Sequence, residues 1–427
     1  MATRFMSRTL LTAGRNTVLS MSAAAVATMA AAAPARADVV TDWNAMTVGY
    51  VNTAARPAPA WILDLAMVHI AMHDAIQAYQ HRFETYAEPI VGATGSPVAA
   101  AATAARDVLI NRLPAAQAMT IQTAYLAYLA GQGLLLSDPG VAVGQEAALR
   151  INVLRSNDGA YPPNPEVFTG STLPGQWRPT QPTFQQPMSA PWMGGVTPFA
   201  LRDVEGLLHE PGPPHLTSGL YARDYDEVKA LGARFDSART PAQTSLATFY
   251  SGNFFAQMNG IARSVALARL SDIGDTARLL ALTNVSAADA LIVAWDNKRA
   301  YNVWRPSTAI FEGDHDGNPR TVGDPTWLPL FNDPPYPDYT SGANSITSAF
   351  MRTLALFFDD DACTFTVATT VPGQGTRTYG RFSAVADDVV DARIYMGIHF
   401  RFADEGARRL GKQAANWAFG HVLRPLE

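Results

Sequence analysis

The chain has 427 residues, 48% hydrophobic and 16% charged, with 31 Gly, 29 Pro and a single Cys, which is ample material for a large buried core. That composition excludes a disordered chain, a collagen and a disulfide scaffold. Its formal charge of −5, from 32 basic and 37 acidic side chains, contains no long run of one sign, so nucleic acid is not expected as a partner.

Residues 1–37 carry Arg4, Arg8 and Arg15, then an Ala-, Met- and Val-rich run, then Ala35-Arg36-Ala37. This charged, apolar and small-residue order reads as a signal peptide, with an exported, periplasmic or extracellular product. Its removal takes away four arginines and no acid, leaving 28 basic against 37 acidic groups. No later segment reads as apolar enough to span a membrane. The remainder, 38–427, reads as one domain.

The apolar stretch from Trp61 to Tyr79 lacks Gly and Pro and suits a buried helix. Further helices are expected over Val98–Asn111, Ala115–Leu129 and Gly144–Asn157. From Gly159 to Pro214 the composition turns to Pro, Gly, Thr and Trp without a period, and so long an irregular excursion usually covers something. Helical pattern resumes at Tyr221–Lys229, Thr240–Tyr250, Phe254–Leu270 and Ala277–Trp304, and is expected to stop at Arg305-Pro306. A second loop covers Glu312–Thr340, followed by a helix over Ser341–Phe358. Two short runs, Thr364–Thr370 and Thr376–Arg381, flank Pro-Gly-Gln-Gly and read as a hairpin. A last helical region begins near Ala384. The sum is an all-α bundle with long covering loops and a small β-hairpin.

Three segments carry candidate chemistry. Lysine occurs only at Lys229, Lys298 and Lys412, and Lys298 precedes Arg305-Pro306 by seven residues, which on one helix puts both cations within about 20° of one face and about 10 Å apart. They can converge on one anion or form a solvated surface. Ser341-Gly342 opens a helix after Pro334-Pro-Tyr336-Pro and offers a hydroxyl and free amides to an oxyanion, unless Ser341 is an ordinary cap. Arg393 and His399 are six residues apart and converge only if the helix bends or ends near Gly397.

Other residues read more plainly. His69 and His73 share a helix face, as metal ligands can, but their apolar surroundings favour core packing. Asp314, Asp316, Gly317 and Asn318 form an acidic loop without the full calcium-loop pattern, so a solvated turn is expected. Cys363, with no second Cys or adjacent His, reads as buried or inert.

Taken in order, Lys-x6-Arg-Pro, then Pro-x(n)-Ser-Gly, then Arg-x5-His resembles the phosphatidic acid phosphatase type 2 (PAP2) superfamily, and specifically its vanadium-dependent haloperoxidase branch. Segments such as Ala71-Met-His-Asp-Ala75, Pro174-Gly-Gln-Trp177 and Arg239-Thr-Pro-Ala-Gln243 extend the likeness over roughly residues 45–420. The resemblance implies helical bundles around a central vanadate, or phosphate in an acid phosphatase. It implies that Lys298, Arg305 and Arg393 neutralise the oxyanion and that Ser341 and Gly342 donate hydrogen bonds to it. His399 would be the catalytic group, axial to vanadium or the nucleophile of a phosphatase. Trp295, Tyr336 and Asn344 would line the pocket for peroxide, halide and an organic acceptor.

The family's second motif normally reads Ser-Gly-His, and its histidine is the general acid/base. Here the position is Ala343. The expected activity, a peroxidase oxidising halide, is therefore expected to be impaired unless His69, His73 or His315 substitutes. A phosphatase using His399, and an oxyanion binder without turnover, are the alternatives.

Overall fold

The computed structural model describes residues 38–202 and 211–426; the signal-peptide reading of 1–37 lies outside them. Five helices come first: α1 (Val39–Thr53), α2 (Trp61–Gln80), α3 (Pro97–Arg112), α4 (Ala118–Gly131) and α5 (Pro139–Leu154). Helix α1 was not foreseen, although its start is marked. Asp38 accepts from the amides of Val40 and Thr41, and Thr41 returns a bond to the Asp38 amide, a capping box that fixes the helix start.

After a long irregular stretch come α6 (Gly219–Leu231), α7 (Pro241–Phe249), α8 (Phe254–Arg269) and the 29-residue α9 (Ile273–Tyr301), then the short α10 (Pro306–Phe311). Helix α11 (Gly342–Phe357) precedes an antiparallel hairpin, β1 (Ala362–Ala368) with β2 (Thr376–Arg381), and α12 (Ser383–Met396) and α13 (Arg401–His421) complete the chain. The all-α expectation with one hairpin holds. The expected single C-terminal helical region is split, because Gly397 takes φ +82° and ends α12, a conformation that glycine adopts without steric cost.

Helix α9 organises the core. It packs against α2, which also contacts α3 and α5, and against α11 and α13, which pack most extensively on each other. Its side chains from Ala277 to Trp295 are almost all buried. This corrects the expectation that no later segment is apolar enough to span a membrane. By length and composition α9 is, but the apolar stretch is wholly covered by protein, as in the central helix of a globular core.

His69 and His73 lie on α2 and are fully buried. Nε2 of His69 lies 2.6 Å from the Asn44 amide nitrogen, and Nε2 of His73 lies 3.0 Å from the Glu84 carbonyl. Burial pushes their titration down to about 3 and about 4, so both rings are neutral in the fold. Among the described residues no cluster could hold a metal ion.

A pH effect follows from His73. Between the ordinary value of 6.5 and about 4, the unfolded chain binds a proton that the folded one refuses, so this residue's contribution is complete above that window and is lost as pH falls through it. Relative to wild type, His73→Gln is expected to lose about 3 kcal/mol less stability between pH 7 and pH 4, at roughly 1.4 kcal/mol per unit. Denaturant midpoints measured across that range check it; parallel curves for the two proteins would refute it.

Two smaller expectations are corrected. The 314–318 loop is a solvated turn only in part: Asp314 and Gly317 are exposed, but Asp316 and Asn318 are buried, with Asp316 accepting from Thr321 and from the Asn318 amide, and Asn318 donating to Leu216. Cys363 is half-buried on β1 rather than buried.

Candidate functional site

The site is built where α9 ends. Asn302 takes a left-handed conformation, φ 48°, and caps α9 at Tyr301, a role asparagine tolerates better than most residues. Lys298 therefore sits in the last turn of α9, whereas Arg305 precedes α10 as its N-cap, with Pro306 at the first helical position. The one-helix geometry expected for these two cations is not what brings them together. The chain turns, and they approach from two elements.

Both are fully buried. Lys298 donates from Nζ to the carbonyls of Pro337 (2.7 Å) and Asp338 (3.0 Å). Arg305 donates from Nε to the Tyr336 carbonyl (2.8 Å) and from Nη1 to that of Ile398 (2.6 Å), and Nη1 lies 3.2 Å from Nε2 of His399. The Tyr336 ring lies 5.0 Å from both the Lys298 ammonium and the Arg305 guanidinium, within cation–π range. Trp295 packs on Tyr336 with ring centroids 4.9 Å apart.

The third cation, Arg393, comes from the last turn of α12 and is half-buried, donating from Nη1 to the Met396 sulfur at 3.3 Å. The Gly397 break then turns the chain so that His399, six residues on, reaches the same place. Ser341 occupies the N-cap position of α11 but its side chain caps nothing, so the ordinary-cap alternative does not apply. Its amide donates to Ala403 (3.1 Å), tying α11 to α13. Gly342 is required by space: a Cβ there would lie 2.9 Å from the Trp295 ring.

The motifs missed three acids. Asp338 places Oδ1 2.6 Å from Nδ1 of His399 and 3.6 Å from Nη1 of Arg305. Asp404, in the first turn of α13, accepts from the Asn344 side chain (2.7 Å). Asp333 accepts from Ser307. All three are buried. Burial raises the Asp338 and Asp333 carboxyls to about 7, against the pull of Arg305, and raises Asp404 well above the usual range. A lone Asp in a loop has no spacing signal; the available hint was Asp333 and Asp338 in the proline-rich approach to a buried helix start.

Electrostatics fixes the character of the bases. Burial, then Arg305, lowers Lys298 well below its usual range, while Asp338 and Asp404 oppose the shift. Burial, then Arg305, Lys298 and Arg393, holds His399 well below the usual imidazole range. His399 is thus neutral at pH 7, with a nitrogen lone pair available.

A pocket of about 180 Å³ adjoins this cluster, lined by Trp295, Tyr336, Gly342, Ala343 and Arg393 together with apolar residues such as Phe254. Among the described residues no histidine lines it. Asn344 is buried behind the pocket, committed to Asp404. His315 is exposed on its loop, and His69 and His73 are held in the α2 core. The irregular stretch before α6 covers this region, as expected. Ser189 accepts from the Trp295 indole (3.1 Å), the Trp177 amide donates to Asn302 (2.7 Å), and the Trp304 amide donates to Gly175 (3.0 Å).

Residues 278–427 match the family model of the VCPO second helical-bundle domain. A bacterial vanadium-dependent iodoperoxidase superimposes with a TM-score of 0.77 at 23% identity, covering 91% of this chain and 96% of that one. The chain has the vanadium-haloperoxidase fold. The holo form of a bacterial vanadium-dependent chloroperoxidase shares this haloperoxidase fold at a TM-score of 0.69 and 17% identity, covering 90% and 97% of the two chains. The vanadium chloroperoxidase of Curvularia inaequalis is 35% identical over 204 residues, 40% of this chain and 32% of that protein, so the match spans about a third of the relative's length. Within the haloperoxidase fold, all three motif segments lie in the part matched by the family model.

The donor set fits a bound tetrahedral oxyanion. Nη2 of Arg305 and Nε of Arg393 are buried without a hydrogen-bond partner, an arrangement costly enough to call for an acceptor. Three cations and a neutral imidazole supply paired charge and a ligand nitrogen.

Proposed function

We propose that the protein is an exported, vanadate-binding, haloperoxidase-like oxidoreductase whose turnover is impaired by Ala343. The observation that carries this reading is the convergence of Lys298, Arg305, Arg393 and neutral His399 from α9, the α10 N-cap, α12 and the link to α13. The reaction is halide plus hydrogen peroxide plus a proton giving hypohalous acid and water, with the product passed to an organic acceptor.

Lys298, Arg305 and Arg393 hold the oxyanion, Ser341 and the Gly342 amide donate to it, and His399 supplies the ligand nitrogen. Bound vanadate supplies the electrophilic centre that activates peroxide. Trp295 and Tyr336 exclude bulk water from one wall, which strengthens every charge interaction inside. Ala343 stands where a proton donor would sit, and a methyl group moves no proton. A neutral, oriented His399 also suits attack on phosphorus, which keeps an acid phosphatase as the second reading.

The test is bromide-dependent halogenation of a phenol-type dye by residues 38–427 with peroxide, with and without vanadate. Vanadate-dependent turnover that is absent in His399→Ala supports the reading. Vanadate binding without turnover, in a protein that hydrolyses an activated aryl phosphate, would replace it with the phosphatase; binding without either activity would leave an oxyanion binder.

A further inference from the structure

Resting on the oxyanion-binding reading above, we propose that the site takes an oxyanion carrying one aromatic ring, as an aryl phosphate does, in preference to the inorganic ion, and that Ala343 is the residue that admits the ring. Among the described residues, Arg393 is the only charged side chain lining the pocket of about 180 Å³, and its Nε is buried without a hydrogen-bond partner. The rest of the wall is uncharged and mostly apolar. Leu291 and Trp295, four residues apart on α9, share it with Ala343 and Ile346 of α11 and with Phe254 at the start of α8. The anion donor and the apolar space are therefore contiguous, so one molecule with a charged end and a flat apolar end can occupy both. An apolar cavity of about 150 Å³ takes up benzene, and this space accordingly suits a single six-membered ring. A halide or a peroxide alone fills only a small part of it.

Ala343 sets the room available. It lies in the first turn of α11 beside Gly342, where the backbone runs close to the Trp295 ring, and a side chain longer than a methyl at 343 would extend into the pocket. The wall at Phe254 is held in place by the hairpin. Asn253 caps α8 by accepting from the Ala256 amide (3.0 Å), and its own amide donates to the Thr370 hydroxyl (2.7 Å), just past β1. Thr369 donates to the Phe249 carbonyl (2.6 Å), so the chain on both sides of the 250–253 turn is tied to the same strand end. A pocket whose walls are fixed in this way keeps the ordering cost of binding low, and the apolar area it covers goes into affinity for the ring.

The experiment is titration calorimetry of residues 38–427 with inorganic phosphate, methylphosphonate and phenylphosphonate, whose P–C bonds the protein cannot hydrolyse. Phenylphosphonate is expected to bind about 10- to 100-fold more tightly than methylphosphonate, the equivalent of burying one Phe-sized side chain. Ala343→Leu, checked for folding by circular dichroism, is expected to bring that ratio close to one, and Phe254→Ala to lower it several-fold. Equal affinities for the two phosphonates in the wild type would overturn the proposal and leave the oxyanion site standing. A preference that survives unchanged in both variants would also overturn it, because the ring would then sit elsewhere. If Ala343→Leu does not fold, the wild-type ratio and Phe254→Ala decide. A wild type that binds none of the three anions, nor vanadate, would sink the oxyanion-binding reading itself.

Discussion

Ala343→His is expected to raise halogenation turnover by about 10² to 10⁴, the usual contribution of a positioned acid/base group, with little change in vanadate affinity. Ala343 is half-buried in the first turn of α11 and forms part of the pocket wall with Trp295, Tyr336 and Arg393. An imidazole there enters a space already next to the cations. No existing group takes that role: the Asn344 amide is spent on Asp404, His315 is exposed, and His69 and His73 are locked into α2. In a phosphatase, the same substitution should help an ester with a poor leaving group far more than an activated aryl phosphate. A variant that binds vanadate as the wild type does, yet turns over no faster with either substrate class, would show that the missing histidine is not what limits the site.

Arg305→Ala is expected to cost about 3–5 kcal/mol of stability, the typical price of leaving a buried charge without its partner, and to abolish vanadate binding. The side chain is fully buried. Its removal strips a donor from the Tyr336 and Ile398 carbonyls and takes the nearest cation from Asp338 and His399. Lysine is a poor substitute, because one ammonium cannot reproduce the fork that reaches two carbonyls and the imidazole together. Denaturant unfolding with and without vanadate measures both effects. Saturating the wild type at 100 times its dissociation constant should add about 2.7 kcal/mol, and the variant should gain nothing. If Arg305→Ala keeps the wild-type midpoint and still responds to vanadate, Arg305 is neither the structural tie nor the anion ligand described above.

Much of the fold was legible because its helices are long and lack internal breakers, as in the Trp61–Tyr79 stretch. The failures were at boundaries. Pro306 was read as a stop, although at the first position of a helix proline is favourable, and so α10 was missed. Asn302 gave no warning that α9 would end three residues early, yet that turn delivers Arg305 to Lys298 from a second direction. In the site, residues with a fixed order along the chain were found from sequence, and the structure brings Lys298, Arg305, Arg393 and His399 together. Asp338 and Asp404 were not found, because their importance lies in partners that the fold supplies: His399, 61 positions on, and Asn344, 60 positions back.

The position of α9 between two sets of helices bears on how the protein comes apart. The matched segment begins at residue 278, inside a helix that starts at Ile273, and the opposite flank of that helix is covered by α2. A fragment cut at that boundary would expose a dry stripe of α9 to water and deprive α2 of its cover. The segment that the family model matches is therefore smaller than the packed unit it belongs to, and loosening of the N-terminal helices would reach the anion cradle through the helix that carries Lys298.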